Sequence, residues 1–182
     1  MTQLPPPTVD RRSGEDRRHA AADVTTAGST PSAGASALSA PFIWTAELDG
    51  IRPRDPWVSV VRRAITDYQE GPPEHIGRSW DESVVWRIVA GWPGAEPRGA
   101  QAVFDYHRTI EDATAGTFQQ EIVSLDASGG PIVVGHVRTT AERGARRLEM
   151  PSLLSFELVA MRVVRVTEIP GDAAEWDAFW RD

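Results

Sequence analysis

The sequence of 182 residues contains no cysteine and no lysine, so all 19 of its basic residues are arginine. Without cysteine the chain has no disulfide, no thiolate nucleophile and no cysteine-ligated metal centre. Without lysine it has no amine for a Schiff base and no lysine for a phosphate-binding loop. Long hydrophobic runs are also missing, which argues against a membrane-spanning helix. With a formal charge of -7, the chain is a small acidic protein for which we predict no nucleic-acid and no membrane partner.

Sequence signatures of cofactor and nucleophile sites are absent too. The chain has no GxGxxG or phosphate-loop pattern, no HExxH motif and no G-x-S-x-G elbow. No two of its four histidines have a spacing that would place them together as metal ligands. These histidines are His19, His75, His107 and His136. We therefore predict neither a metal nor a cofactor.

The first 45 residues differ in composition from the rest. They consist mainly of proline, alanine, serine, threonine, glycine and charged residues, with few branched aliphatic residues. Such a segment cannot bury enough apolar surface to fold, so residues 1–45 are predicted to be a disordered tail before a domain over 50–182. Acidic neighbours offset the arginines at 11–18, which favours a solvated linker over contact with an acidic partner. No apolar run fits a secretory signal, and a cytoplasmic protein is predicted.

The folded part is predicted to begin with helices and to continue with strands. Asp55 followed by Pro56 is typical of a helix start, and after about residue 117 the hydrophobic period changes from helical to two. The predicted elements, in chain order, are helices over 55–71 and 73–80, a strand over 84–88, a helix over 99–116, strands over 118–126, 132–142, 146–158 and 162–169, and a helix from Asp172 with Trp176, Phe179 and Trp180 on its apolar face.

The four later strands are predicted to form an antiparallel meander. Gly129–Gly130 and Gly144–Ala145 are typical of hairpin turns, whereas the link over 159–161 contains no turn-forming residue and is assigned from its flanking strands. This order, with helices before an antiparallel meander, predicts an α+β fold in which the helices cover one face of a curved sheet. Sheet and helices together then form a cone. The mouth of such a cone is a concave setting for a small-molecule site.

Three stretches of the chain resemble the SnoaL-like branch of the nuclear transport factor 2-like superfamily. They are Ser83–Trp86, Arg98–Val103 and the ending Pro170–Trp180, and the resemblance extends from about Trp57 to Asp182. It implies a cone-shaped α+β barrel, usually a homodimer built through the sheet, with a pocket for a small hydrophobic molecule. Members of this superfamily include polyketide cyclases, ketosteroid isomerase-like enzymes, epoxide hydrolase-like enzymes and domains without a known reaction.

The resemblance also implies where acid–base groups belong. In cyclase-like members an aspartate precedes the final hairpin, and that position falls on Leu154 in this sequence. The histidine of those members lies near the preceding turn, and the corresponding segment 140–143 contains none. Cyclase chemistry by that route therefore lacks its usual residues here.

Other polar and aromatic residues remain as candidates. His107, on the apolar side of the helix over 99–116, and His136, which shares a strand face with Arg138, are the candidate catalytic residues. Whether the face of His136 and Arg138 is concave or outward stays open. The candidate ligand-binding residues are Trp86, Trp92, Tyr106, Glu121 and Arg138.

Two functions remain. The first is binding of a small hydrophobic, carbonyl-bearing molecule in a conical pocket, with cofactor-free acid–base chemistry of the isomerase or cyclase kind. The alternative is a non-catalytic ligand-binding or dimerisation module of the same fold. The absent carboxylate at Leu154 favours the alternative, and His107 on an apolar helix face favours the enzyme.

Overall fold

The structure is a computed structural model that describes residues 44–45, 55–70, 78–91, 96–127 and 129–181. These residues form six strands and three helices. In chain order they are β1 (Trp44–Thr45), α1 (Pro56–Glu70), β2 (Trp80–Ile88), α2 (Ala100–Ala113), β3 (Gln119–Ala127), β4 (Ile132–Arg143), β5 (Arg146–Val159), β6 (Arg162–Pro170) and α3 (Ala173–Trp180).

The strands form one sheet in the order β1-β3-β4-β5-β6-β2. Strands β3 to β6 are the predicted antiparallel meander, while β1 pairs parallel to β3 and β2 pairs parallel to β6 at the two edges. The predicted α+β class is confirmed. A mostly antiparallel sheet can bury one face and leave the other exposed, and the strands here alternate accordingly.

The helices pack against one face of this sheet, which we call the inner face. The core joins Ile65 of α1 and Ile110 of α2 to Val133 and Phe156 on the inner face, all of them buried. The indole of Trp80 is buried as well and donates a hydrogen bond to the carbonyl oxygen of Ala64 at 2.8 Å, which fixes β2 against α1. The opposite face, called the outer face below, carries the exposed residues of β3 to β6.

Strong curvature brings the two ends of the meander together on the inner face. Strands β3 and β6 are separated by β4 and β5, which in a flat sheet is three spacings of about 4.8 Å. Yet the side-chain amide of Gln120 on β3 lies 2.5 Å from the carboxyl of Glu168 on β6. Two side chains of ordinary length meet in this way only when the sheet bends around its inner face. Register shifts at Ile122/Ser124 and at Glu157/Leu158 are the kind of irregularity that bends strands.

Two of the hairpin turns show how the meander is closed. Gly144 and Ala145 form the predicted two-residue connection, with Gly144 at a positive φ of 61°. The link that lacks a turn-forming residue is also a two-residue turn, because Ala160 and Met161 both adopt positive φ, 48° and 63°. Positive φ at both central residues matches the right-handed twist of the flanking strands, so here the strand pairing imposes the turn.

The C-terminal helix α3 is held at both of its ends. The carboxylate of Asp172 accepts hydrogen bonds from the backbone N–H groups of Ala174 and Glu175 at 2.8 and 2.9 Å, which confirms the predicted cap. At the other end Arg143 and Arg146, on either side of the β4–β5 turn, donate to carbonyl oxygens over 179–181. The buried face of the helix consists of Trp176, Phe179 and Trp180.

Other predicted elements differ from the structure or fall outside its described part. The short helix predicted over 73–80 does not extend to its predicted end, because residues 78–79 form a turn and Trp80 begins β2. Residues 71–77 lie outside the described residues. So does the predicted tail over 1–45, apart from Trp44 and Thr45, whose backbones pair with Gln120 and Glu121.

Gly171, at the junction of β6 and α3, provides a test of this packing. A Cβ at Gly171 would lie closer to the carbonyl oxygen of Pro151 than real Cβ atoms come, whereas a Cβ at Gly130 would meet open space. We expect Gly171→Ala to lower the free energy of unfolding by about 1–3 kcal/mol, the usual cost of overpacking, and Gly130→Ala to change it little. Urea unfolding of both variants measures this, and equal midpoints would contradict the close approach of Gly171 to Pro151.

Candidate functional site

Four polar side chains cross the inner face of the sheet, one from each strand of the meander. We call Gln120, Thr139, Ser152 and Glu168 the polar band, and all four are buried. Thr139 and Ser152 are hydrogen-bonded through their hydroxyls at 3.1 Å, and Gln120 donates to Glu168. Buried polar groups are costly unless they are hydrogen-bonded, so a band of them in an apolar interior marks a candidate site.

Glu168 is the ionisable member of this band. Its Oε1 accepts from Nε2 of Gln120 at 2.5 Å, and its Oε2 accepts a longer bond, 3.4 Å, from the indole Nε1 of Trp86 on β2. Burial raises the pKa of Glu168 to about 7 because it disfavours the carboxylate, and the two hydrogen bonds only partly oppose this effect. Near neutral pH the side chain can therefore both release and accept a proton.

Tyr106 on α2 places a phenol near this carboxyl. Its hydroxyl is buried and has no hydrogen-bond partner within the part of the chain that the structure describes. Burial and, after it, the negative charges of Glu168 and Tyr68 raise the pKa of Tyr106 well above its usual value. Tyr106 is thus a buried proton donor with an unused hydrogen bond, and a ligand oxygen is one group that could accept it.

His107 lies next to Tyr106 in the sequence and deeper in the interior. It is 1% exposed, and its Nδ1 is hydrogen-bonded to the hydroxyl of Tyr68 on α1. Its ring meets the indole of Trp86 edge-on, with centroids 4.5 Å apart. Burial lowers the pKa of His107 to about 3, so the imidazole is neutral at physiological pH.

Three other predicted site residues lie on the outer face, away from His107. His136 and Arg138 alternate with the buried residues of β4 and are exposed. The sequence alone did not decide which face of the sheet carries them, and in the structure they lie on the outer face. Arg138 forms an ion pair with Glu121 at 2.8 Å, and both side chains are about half exposed. The structure thus brings Trp86, Tyr106 and His107 together inside, and Glu121, His136 and Arg138 together outside.

An open groove of about 880 Å³ lies on this outer face and is called the outer groove below. Its lining combines exposed apolar side chains with charges of both signs. These residues include Val123, His136, Arg138, Glu149, Leu153 and Ile169. The groove is separated from Glu168 by the sheet itself, so it is a surface distinct from the interior site.

Glu168 is the functional candidate that the sequence analysis missed. It follows Val166 by two residues on the same strand, and two residues in such a relation share a face of the sheet. A valine two positions earlier was therefore a signal that Glu168 faces the core. Its strand neighbour in the register is Leu154, the position onto which the sequence resemblance places the aspartate of cyclase-like members. The interior thus has a carboxyl close to that place, supplied by the next strand.

Trp92 lies outside the described residues. Among the residues the structure describes, no group of three or more histidine, aspartate or glutamate side chains is arranged to hold a metal ion. None of the helices described is long and apolar enough to cross a membrane.

Comparisons with known proteins place this architecture. No protein-family model matches the chain, and no curated protein matches it. Among solved structures, Bal32a from a soil-derived mobile gene cassette is 28% identical, covering 69% of this chain and 96% of its own, with a TM-score of 0.62.

Two more distant structures carry family descriptions. A nuclear transport factor 2-like protein from Burkholderia pseudomallei is 14% identical and covers 70% of this chain and 99% of its own, with a TM-score of 0.58. A structure described as a SnoaL-like polyketide cyclase from Jannaschia sp. CCS1 is 11% identical and covers 72% and 99%, with a TM-score of 0.54. This chain therefore has the SnoaL-like, nuclear transport factor 2-like fold, which confirms the resemblance found in its sequence motifs.

The interior carboxyl predicts an unusual pH dependence of stability. The pKa of Glu168 is about 4.5 in the unfolded chain and about 7 in the folded protein. Between these two pH values the folded protein therefore holds a proton on Glu168 that the unfolded chain has lost. For this reason the contribution of Glu168 to the free energy of unfolding falls as the pH rises from 4.5 to 7. His107 acts in the opposite direction: its contribution is complete above pH 6.5 and is lost as pH falls towards 3. Between pH 4.5 and 6.5 the two effects oppose each other.

Glu168→Gln removes one of these two effects and leaves the other. We expect the free energy of unfolding of the variant, relative to that of the native protein, to rise by about 1.4 kcal/mol for each pH unit from 4.5 to 7, or by about 3 kcal/mol in total. Urea unfolding across this range measures the difference. Glu121→Gln is the matched control, since an exposed ion pair contributes less than about 1 kcal/mol. A constant difference between Glu168→Gln and the native protein would show that Glu168 is not a buried, neutral acid.

Proposed function

We propose that this protein binds a small, hydrophobic, carbonyl-bearing molecule on the inner face of the sheet and moves a proton on it with Glu168. The observation that carries the proposal is the buried pair of Glu168, an acid with a pKa near neutrality, and Tyr106, a phenol without a hydrogen-bond partner in the described part of the chain. A general base is most effective when its pKa lies near the working pH. The apolar surroundings of the pair suit a hydrophobic ligand.

The two groups have complementary roles in this proposal. The ionised carboxylate of Glu168 takes a proton from the carbon next to the ligand carbonyl, and the phenol of Tyr106 donates a hydrogen bond to the carbonyl oxygen as it becomes negative. Glu168, now protonated, returns the proton to another carbon of the same molecule, so the net reaction is an isomerisation. Gln120 and Trp86 hold the carboxyl in place through their hydrogen bonds.

The fold supports this proposal, and the polar band refines it. The resemblance of the sequence motifs to the SnoaL-like branch implies a pocket for a small hydrophobic molecule, with an acid or base placed in it in the members that are enzymes. In this proposal Tyr106 has the ligand-binding role predicted for it, and Trp86 acts on the ligand only through the carboxyl of Glu168. Glu121, His136 and Arg138, on the outer face, take no part in the proposed chemistry.

Exchange of ligand hydrogens for deuterium tests this chemistry without knowledge of the substrate. We expect the native protein, in deuterated buffer, to exchange the hydrogens next to the carbonyl of at least one member of a panel of cyclic and polycyclic ketones, followed by NMR. Glu168→Gln should slow the exchange by about 100-fold or more, the usual contribution of a positioned acid–base group. Tyr106→Phe should slow it by a comparable factor, because it removes the donor to the developing oxyanion.

Controls separate binding from chemistry in this assay. Glu121→Gln, on the outer face, should exchange the ketone like the native protein. Ligands at about 100 times their dissociation constant raise stability by roughly 2.7 kcal/mol, so thermal shifts identify which ketones bind each variant. A ketone that binds Glu168→Gln and is exchanged at the native rate would refute the role of Glu168.

A second candidate function is a dimerisation module, and the outer groove favours it. No described helix covers this face, and Val123 and Ile169, two of its apolar side chains, are exposed. The groove carries both Arg138 and Glu149, so two copies related by a twofold axis could match opposite charges. This homodimer is compatible with the interior chemistry, and it is the whole function if the ketone panel neither binds nor exchanges.

Two valines of nearly equal exposure test the dimer. Val123, in the groove, is 64% exposed, and Val159, outside it at the end of β5, is 62% exposed. We expect the native protein to sediment as a dimer at micromolar concentration, Val123→Glu as a monomer and Val159→Glu as a dimer, because a buried unpaired charge opposes association. A native protein that sediments as a monomer would contradict the proposed dimer.

A further inference from the structure

His107 is the most buried polar side chain of α2, and the proposed chemistry does not use it. It is surrounded by aromatic rings from three elements. The ring of Tyr68 on α1 lies 5.5 Å from it, that of Trp86 on β2 lies 4.5 Å from it, and that of Tyr106 on α2 lies 5.2 Å from it. A histidine in such a position touches the site without facing a solvent-filled space.

Two of these neighbours interact with Glu168. Trp86 donates its indole N–H to the carboxyl, and the phenol of Tyr106 lies close enough for the charge of Glu168 to act on it. The His107 ring stands at 88° to the Trp86 indole and at 51° to the Tyr106 ring. Edge-to-face contacts between aromatic rings are directional, so the orientation of His107 restricts the orientation of the Trp86 indole.

The orientation of His107 is itself fixed by a hydrogen bond to α1. Its Nδ1 is hydrogen-bonded to the hydroxyl of Tyr68, which prevents the ring from turning over. Tyr68 is in turn stacked on Phe104, with centroids 4.5 Å apart and ring planes 20° apart, and packs against Trp80 at 5.9 Å. A continuous series of contacts thus runs from α1 through His107 to Glu168.

We propose that His107 is a positioning residue of the interior site, which holds the indole of Trp86 against Glu168 and exchanges no proton with the ligand. This inference rests on the proposed function, in which Glu168 is the group that moves the proton. The low pKa of His107, about 3, agrees with it, because a ring that stays neutral at physiological pH is a poor general base there.

The proposal predicts a direction for the ionisation of Glu168. The hydrogen bond from Trp86 lowers the pKa of Glu168, against the larger effect of burial. Removing the His107 ring frees the indole, weakens that bond and therefore raises the pKa of Glu168 further. The other titratable groups around this cluster are Tyr68 and Tyr106, whose pKa values are raised well above their usual value, and Glu111, whose charge acts on Tyr68.

A double-mutant cycle in the ligand-free protein tests the route through Trp86. The four proteins are the native chain, His107→Leu, Trp86→Phe and the double variant. Carbon-13 NMR of glutamate side chains gives the titration midpoint of Glu168, assigned by its loss in Glu168→Gln. We expect His107→Leu and Trp86→Phe each to raise the midpoint by about half a pH unit or more, roughly a threefold change in the ionisation constant. The double variant should match Trp86→Phe alone.

The outcomes separate positioning from packing. If the titration midpoint of Glu168 is unchanged in His107→Leu, the histidine only packs. If the shift in the double variant equals the sum of the shifts in the two single variants, the histidine acts on Glu168 without Trp86. Either result overturns the proposal. His136→Leu, which removes an exposed histidine from the outer face, is the matched control and should leave the midpoint unchanged.

A gentler variant keeps the test decisive if a core substitution prevents folding. Tyr68→Phe removes only the hydroxyl that orients His107, and we expect a smaller shift of the midpoint in the same direction. No shift in this variant would equally overturn the proposal. The titration requires no ligand, so the positioning role can fail while deuterium exchange still depends on Glu168, or hold while no ketone is exchanged.

Discussion

A hydrogen bond from the amide of Gln120 to the carboxyl of Glu168 joins the two outermost strands of the meander on the inner face. It forms only because the sheet bends until β3 and β6 approach each other, and it leaves a carboxyl surrounded by apolar side chains. The same bending that closes the core therefore also buries Glu168, and burial raises the pKa of its carboxyl. Fold and candidate chemistry depend on one geometric condition, the curvature of four consecutive strands.

The two faces of this sheet differ in the surroundings of their polar residues. On the inner face the polar residues are buried and hydrogen-bonded to one another, as with Thr139 and Ser152. On the outer face the charges pair beside solvent, as with Arg138 and Glu121, and exposed pairs of this kind contribute little to stability. A substitution on one face is therefore poorly placed to alter the other, because the backbone of the sheet lies between them.

Much of the fold was predictable from the sequence, because it depends on local patterns. The start of α1 at Pro56, the cap at Asp172 and the alternation of the strands gave the α+β class and the order of elements. The site was predictable only in part. Tyr106 and His107 lie on an apolar helix face, which predicts an interior position, but alternation alone does not say which face of a strand is the inner one, so His136 stayed ambiguous. Glu168 was missed although Val166 marks its face.

The polar band has a consequence for how such a protein can change. Each of its four members comes from a different strand, and each strand is paired with its neighbours over most of its length. A single codon change in any one strand can thus replace one wall of the interior while the pairing of the others persists. A fold built in this way can change the chemistry of its interior in small steps, which is one physical reason why a single fold can serve unrelated functions.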